Sequence, residues 1–336
     1  MSVSYDTTTP GSISIQETDL QTYPVEFLRK PTLAFDGKEV CLFIAFVPKG
    51  RLLPGAIAMV QALAASGVAV LVCAAVEDMG ASLDLAGLDC AAAVIKRRNG
   101  GYDFAAWSAV LGSLPELWSA ERLFFVNDSI LGPLHGLDAL LAKIRSSDAD
   151  FVALTESYEI RHHSQSYFFV FQKAALVSDA IRAFWREVQV EKTKSDVIQK
   201  YEVALLERVR DIAGLTAEIL FSLDSLFPGV DCSRIRKINP TIHLWEHLIN
   251  CGFPFLKAEL LYANPLRAPI EHWPQIVSLH GGNVAVFSAH VVEMSKTRGR
   301  QSTRKRFGNW KLMRWILGDE RFFQICETWS TERNLP

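Results

Sequence analysis

The sequence predicts an α/β fold, a mostly parallel central sheet with helices on both faces, followed by a less regular C-terminal half. Three observations carry this expectation. Apolar runs of strand length recur at 40–47 (VCLFIAFV), 68–76, 91–95 and 122–126 (RLFFV). Helix-length segments lie between the first and second runs and between the third and fourth, as βαβ crossovers require. Polar clusters follow the third and fourth runs, at 97–103 and 127–129. Parallel strands share a carboxyl edge, so both clusters fall where open α/β sheets bind ligands.

Taken in order, residues 1–36 are rich in Ser, Thr and other polar residues and are expected to form a tail that packs only in part. The run 40–47 reads as a buried strand, Pro54 opens a helix to about Ala65, and 68–76 is a second strand. The turn PKGRLLPG between them lacks the G-x-G-x-x-G spacing of dinucleotide binders, which counts against a nicotinamide oxidoreductase. A loop over 77–90 carries Glu77, Asp78 and Asp84. After the strand 91–95, Asp103 is expected to cap a helix whose stripe Phe104, Trp107, Val110, Leu111 repeats at i, i+3, i+6 and i+7. The strand 122–126 closes this unit. Further on come a helix over 136–146, a strand 150–155, an aromatic strand 167–171 (YFFVF) and a helix 173–190. A charged helix 194–212 and a strand-like run 215–223 follow. Asn239-Pro240 opens a helix ended by Gly252, and an extended run leads to a second Asn-Pro at 264–265.

At 336 residues, 49% hydrophobic and 21% charged, the chain has ample material for a core. The net charge of −2 gives no global attraction to nucleic acid, and no nucleic-acid partner is expected. Cys41, Cys73, Cys90, Cys232, Cys251 and Cys326 stand singly, without C-x-x-C spacing, and read as reduced, mostly buried thiols. The first residues carry neither early basic charge nor an apolar stretch, so a cytoplasmic protein is expected. The apolar window 56–76 is interrupted by Gln61, Ser66 and Gly67 and reads as helix then strand rather than as a membrane span.

The turn RRNGGYD is the first chemical signal. Gly100 and Gly101 let backbone approach a ligand, and Arg97 and Arg98 supply charge suited to a diphosphate, with Asn99 beside them. Asp103 is unfavourable beside a bare phosphate but suits the hydroxyls of a sugar, so a nucleotide-sugar fits the set best; a tight turn with a capping acid is the structural alternative. The second turn, Asn127-Asp128-Ser129, brings hard oxygen donors to the same edge. Asp128 there suits Mg²⁺ or Mn²⁺ shared with substrate phosphates, while the same residues also make ordinary turns. Glu156 and Glu159, at a strand end, are candidate general bases, and His162, His163, Gln165 and Ser166 form a candidate acceptor wall, with Glu246 a weaker member. His243 and His247 share a helix face but have no evident third ligand, and read as core or surface histidines.

The motifs RNGGYDFAAW, FFVNDSILGPL, LTESYEIRHHSQSYFFVF and NPTIHLWEHLINCGFPFLKAELL with a closing NP, in this order over about residues 38–266, resemble the rhamnan synthesis protein F family. The resemblance implies a glycosyltransferase of bacterial cell-surface polysaccharide assembly, with a nucleotide-sugar-binding domain of the GT-A type. It implies dTDP-rhamnose or a related donor, and a rhamnose-containing glycan, commonly lipid-linked, as acceptor. GT-A enzymes bind metal and diphosphate at a D-x-D turn; the matching position is Asn127-Asp128-Ser129, where the first Asp is missing, leaving Asp128 to contact the ion, the sugar or the ribose.

Domain boundaries are expected at 1–36 (tail), 37–270 (GT-A-like transferase domain) and 271–336 (basic and aromatic extension). Within the extension, KTRGRQSTRKRFGNWKLMRWIL at 296–317 has no acid and sets Lys311 and Arg314 between Trp310 and Trp315. That composition suits an anionic membrane surface, here the inner face of the cell membrane. The reading from another class is a catalytically inactive glycan-binding or scaffold subunit of an assembly complex, for which Asn127 in place of Asp is the main support.

Overall fold

The structure, a computed structural model, describes residues 23–229, 239–264 and 268–298. Its strands and helices follow in this order: β1 (Val25–Arg29), β2 (Glu39–Phe46), α1 (Pro54–Ala65), β3 (Ala69–Val76), β4 (Ala93–Arg98), α2 (Tyr102–Ser113), β5 (Arg122–Asn127), β6 (Ile130–Leu131), α3 (Asp138–Ser146), β7 (Phe151–Ser157), β8 (His163–Ser164) and β9 (Phe168–Gln172). The second half contains α4 (Lys173–Val177), α5 (Asp179–Glu187), α6 (Lys194–Val197), α7 (Val203–Glu207), β10 (Ala217–Phe221), α8 (Leu223–Leu226), α9 (Pro240–His243), α10 (Trp245–Asn250), β11 (Leu256–Lys257), α11 (Ala258–Tyr262), α12 (Trp273–Leu279) and α13 (Val284–Arg298).

The main sheet runs β1-β4-β3-β2-β5-β9-β7-β10, with β8 added to β7. β2, β3, β4, β5, β7 and β10 point one way, and β1 and β9 run against them. The α/β class and the mostly parallel sheet are as the sequence predicts. Every cluster singled out above up to residue 166 therefore meets at one edge, formed by the carboxyl ends of the six parallel strands and the amino end of β9. β1 comes from the stretch expected as tail: Val25 and Phe27 pack on the core beside α2, which gives the segment enough apolar surface to join the sheet.

The sheet is covered on both faces because its strands are apolar on both. On one face Met59, Val60 and Leu63 of α1 and Leu140, Leu141 and Ile144 of α3 pack over Cys41, Phe43, Val70 and Val72. On the other, the predicted stripe Phe104, Trp107, Val110, Leu111 meets Leu42, Ile44, Phe125 and Phe169. Trp107 is fully buried; its Nε1 donates to Leu42 O at 3.0 Å, and its ring stands edge-on to Phe125 and Phe169 at 5.6 and 5.5 Å. Truncating such a ring costs about 3–5 kcal/mol, so this contact pins α2, and the turn before it, to the sheet. A third cluster, with Leu131, Trp245, Ile249, Leu256, Val277 and Phe287, seats the antiparallel pair β6-β11, in which Lys257 lies opposite Ile130.

Several local expectations are corrected. Asp103 does not cap α2: the N-cap is Gly101, left-handed at φ +67°, and no side chain caps the helix. The segment 173–190 breaks at Ser178 into α4 and α5, the serine adopting extended backbone between them. The extended run after Gly252 is β11 followed at once by α11, since Ala258, Glu259 and Leu260 favour helix. Cys90 and Cys251 are exposed rather than buried, while Cys41 and Cys73 lie in the sheet. The basic segment expected to meet a membrane surface falls, from residue 299 on, outside the described residues, as do Cys232 and Cys326. No helix among the described residues is long and apolar enough to cross a membrane.

Candidate active site

The two polar turns are joined by direct bonds. β2 and β5 pair in register to Ile44 opposite Asn127, so the β5 strand delivers Asn127, 3% exposed, to the sheet edge. Asn127 Nδ2 donates to Asp103 Oδ2 at 2.8 Å. Its Oδ1 accepts from both the backbone N (3.1 Å) and the Oγ of Ser129. Lys257 Nζ donates in turn to Ser129 Oγ at 3.1 Å and lies 4.8 Å from the centroid of the Tyr167 ring. A single directed chain thus runs from ammonium to hydroxyl to amide to carboxylate, linking β11, the turn after β5 and the first turn of α2.

Charge follows this geometry. Burial raises the Asp103 carboxyl above its ordinary value; Lys194 and Lys257 pull it down, Glu202 pushes it up, and the bond from Asn127 favours its charged form. Burial lowers Lys257, Lys194 adds to that, and Glu202, Glu259 and Asp103 oppose it. Glu202 also receives Ser166 N at 3.1 Å, tying the start of β9 to the helical segment 194–212.

The glycine turn is held from beneath. Arg97, 1% exposed, donates through Nη1 to Gly100 O at 2.9 Å, and its guanidinium lies 5.5 Å from the Tyr23 ring centroid. Its Nε and Nη2 have no hydrogen-bond partner among the described residues, and burial lowers its pKa. Arg97 was expected to face a diphosphate; its side chain instead braces the loop, because alternation along β4 turns it under α2 and leaves Arg98 exposed. Gly101 is required at its place: a Cβ there would lie 2.6 Å from Ala105 Cβ and 2.9 Å from Val190 Cα. Asn99 is exposed and donates to Glu77 Oε1 at 2.8 Å. Asp128 points across the sheet edge to β2, where its Oδ2 accepts from Phe46 N at 2.9 Å.

The predicted acceptor wall is built on β7, β8 and the loop between them. Glu156, 5% exposed, accepts Leu223 N through Oε1 at 2.9 Å and meets His162 Nε2 through Oε2 at 2.7 Å. His162 is stacked on Tyr158 at 4.4 Å. A carboxylate only accepts, so Nε2 of a neutral His162 carries the hydrogen and Nδ1 the lone pair. Glu159 is exposed and accepts from Asn239 Nδ2 at 3.3 Å; Asn239 Oδ1 accepts from Gln165 Nε2 at 3.3 Å. Thr155 Oγ1 donates to Gln165 Oε1 and bonds Tyr167 OH, so this wall reaches the ring that faces Lys257. His163 is buried on Arg161 O at 2.7 Å. Glu246 is bound elsewhere, to His272 Nε2 at 2.7 Å on the third cluster. His243 is buried, and burial lowers its pKa against the opposing effects of Asn239 and Glu159. Sequence reasoning missed Lys257, Glu202, Tyr167 and Asn239. A lysine in the apolar run FPFLKAELL was the one available sign.

Among the described residues no three His, Cys, Asp or Glu side chains gather to hold a metal. The turn offers one carboxylate, on Asp128, and its Ser129 hydroxyl already receives an ammonium. A second cation would be repelled there, so this donor set does not fit Mg²⁺ or Mn²⁺ held by the chain itself.

An α/β protein whose polar chain lies at the carboxyl edge of a mostly parallel sheet, where the turns after β4 and β5 meet, is of the open α/β class that binds ligands at that edge. Residues 74–279 match the family described as rhamnan synthesis protein F, more than half of the chain, and the chain belongs to that family. It is 31% identical over 215 residues to virulence protein VirA of Vibrio anguillarum, covering 56% of this chain and 68% of that protein. It is 25% identical over 154 residues to the uncharacterized protein y4gN of Sinorhizobium fredii, covering 44% and 40%. Among solved structures, glucosyl-3-phosphoglycerate synthase from Mycobacterium tuberculosis, in complex with Mn²⁺, UDP and glucosyl-3-phosphoglycerate, aligns with 53% of this chain and 81% of its own. The superposition has 11% identity and a TM-score of 0.28.

Proposed function

We propose that the protein is a glycosyltransferase that moves a sugar, rhamnose first, from a nucleotide-sugar such as dTDP-rhamnose to a growing, lipid-linked glycan of the cell surface. The observation that carries this is the hydrogen-bonded chain Lys257–Ser129–Asn127–Asp103 at the sheet edge, in a member of a family described by rhamnan synthesis. In this reading Asp103 accepts hydroxyls of the donor sugar or ribose, and Asn127 fixes its direction. Gly100, Gly101 and exposed Arg98 form the donor's rim, and Asp128 holds the turn against β2.

The base in this proposal is His162, oriented by Glu156, rather than Glu156 itself. Both Glu156 oxygens are engaged, whereas the paired ring leaves Nδ1 to take a proton. His163, Gln165, Ser166 and Glu159 then line the acceptor side. Transfer is a single displacement: the acceptor hydroxyl oxygen bonds the anomeric carbon, its proton passes to Nδ1, and the bond to the diphosphate breaks.

A nucleotide-sugar panel read by thermal shift and by release of nucleoside diphosphate tests the proposal. A dTDP-sugar that raises the melting temperature and is turned over in the presence of glycan acceptor is expected. Glycan binding with neither shift nor release across the panel would favour the scaffold reading, for which Asn127 in place of a carboxylate is the specific support.

A further inference from the structure

We infer that Lys257 is the fixed cation that meets the donor diphosphate at the Asn127–Ser129 turn, in the place where a turn with two carboxylates would hold a divalent ion. The inference rests on the glycosyl-transfer reading above.

Lys257 is held at the turn from several sides. Its residue pairs with Ile130 across β6-β11, and the neighbouring Ala258 N donates to Ser129 O at 2.9 Å. The lysine stem therefore leaves a backbone already bonded to the turn. At its far end Nζ donates to Ser129 Oγ at 3.1 Å and sits over the Tyr167 ring. An ammonium has three donors, and a hydroxyl and a π-face leave it able to bond phosphate oxygens. Tyr167 is itself fixed by Thr155, so the ring on which Nζ rests is part of the sheet edge rather than of a loose loop.

Charge gives this lysine its task. Asp103 and Glu202 stabilise its ammonium form, while burial and Lys194 weaken it. An anion bound at Lys257 would offset both its burial and the repulsion from Lys194, and leave Asp103 to the sugar hydroxyls. When the bond from the anomeric carbon to the diphosphate oxygen breaks, its electron pair stays on that oxygen and the diphosphate gains one negative charge. A cation already in position stabilises that charge without reorganising. The proton released by the acceptor hydroxyl goes to His162, so Lys257 keeps its own throughout.

The test is calorimetric binding of UDP, dTDP and GDP to the full chain in EDTA, for the wild type, Lys257→Met and Lys257→Arg, with circular dichroism melting of each to establish folding. The wild type is expected to bind one of these nucleotides in EDTA. Lys257→Met should weaken that binding by roughly two orders of magnitude, Mn²⁺ should not restore it, and Lys257→Arg should stay within about tenfold of the wild type. Wild-type binding that vanishes in EDTA and returns with Mn²⁺, or a folded Lys257→Met protein that binds as the wild type does, overturns the role of Lys257 and leaves glycosyl transfer standing. A folded wild type that binds none of the three with or without Mn²⁺ removes the donor-site reading together with this one.

Discussion

Asn127 Nδ2 donates to Asp103 Oδ2 at 2.8 Å and thereby fastens the carboxyl end of β5 to the first turn of α2. The amide can do this only because its Oδ1 is taken by Ser129, which fixes which end of the group faces the acid. Asn127→Asp replaces the donor by a second carboxylate next to a half-buried first one. Loss of roughly 1–3 kcal/mol at neutral pH is expected from the broken bond and the like charge. Denaturant melts should show the loss shrinking under acidic conditions, where one acid takes up a proton. A variant equally stable at both pH values would mean that the two side chains are not coupled.

Asp103 should also make stability depend on pH. Burial raises its pKa above the ordinary 3.8, so the native state holds the proton more tightly than the unfolded chain does. Its contribution is then full below the unfolded value and declines as pH rises through the folded one. Asp103→Asn keeps an oxygen for Asn127 and removes that decline. Its melting temperature should gain on the wild type as pH rises above the ordinary carboxyl value, while nucleotide-sugar turnover falls. A difference that stays flat with pH would show that the carboxylate carries no burial penalty.

Much of this was legible in the sequence, and the reasons are physical. Helix α1 has the expected bounds because Pro54 and the Ser66-Gly67 pair mark its ends. The stripe through Trp107 could be read from spacing alone because both faces of a parallel sheet are apolar and only the helix has a polar side. That the turns after β4 and β5 would meet followed from strand direction. The direction of individual side chains did not. Asp103 has the sequence position of a cap, yet two consecutive left-handed residues, Gly101 and Tyr102, rotate the helix start so that the acid looks inward to Asn127. Lys257 reaches the turn from 128 residues away by way of β11, a two-residue strand too short to show periodicity.

The basic run 296–317 carries a prediction that stands on composition. Each Lys or Arg near an anionic leaflet contributes about 1 kcal/mol, and the Trp residues at 310 and 315 suit the headgroup level. In flotation assays the full chain should rise with anionic vesicles, not with neutral ones, and should be released at high salt. A chain ending at Val292 should remain at the bottom in both. Equal behaviour of the two chains would remove the membrane contact from the picture of a lipid-linked acceptor.

His162 and Glu156 make the last prediction, because their pairing separates positioning from chemistry. The buried Glu156 is bonded both to the ring and to Leu223 N at the start of α8, so its removal disturbs structure as well as catalysis. His162 is stacked on Tyr158 and is partly exposed, so replacing it leaves the core untouched. His162→Gln should lower kcat by about 10²–10⁴-fold with little change in KM for the donor, as loss of a general base does. Its melting temperature should stay close to that of the wild type. Glu156→Gln should lower both kcat and stability, since the amide leaves one of its two bonds unmatched. A His162→Gln protein with wild-type kcat would move the proton to another acceptor, and Glu159, the exposed acid held by Asn239 on the same wall, would be the next to replace.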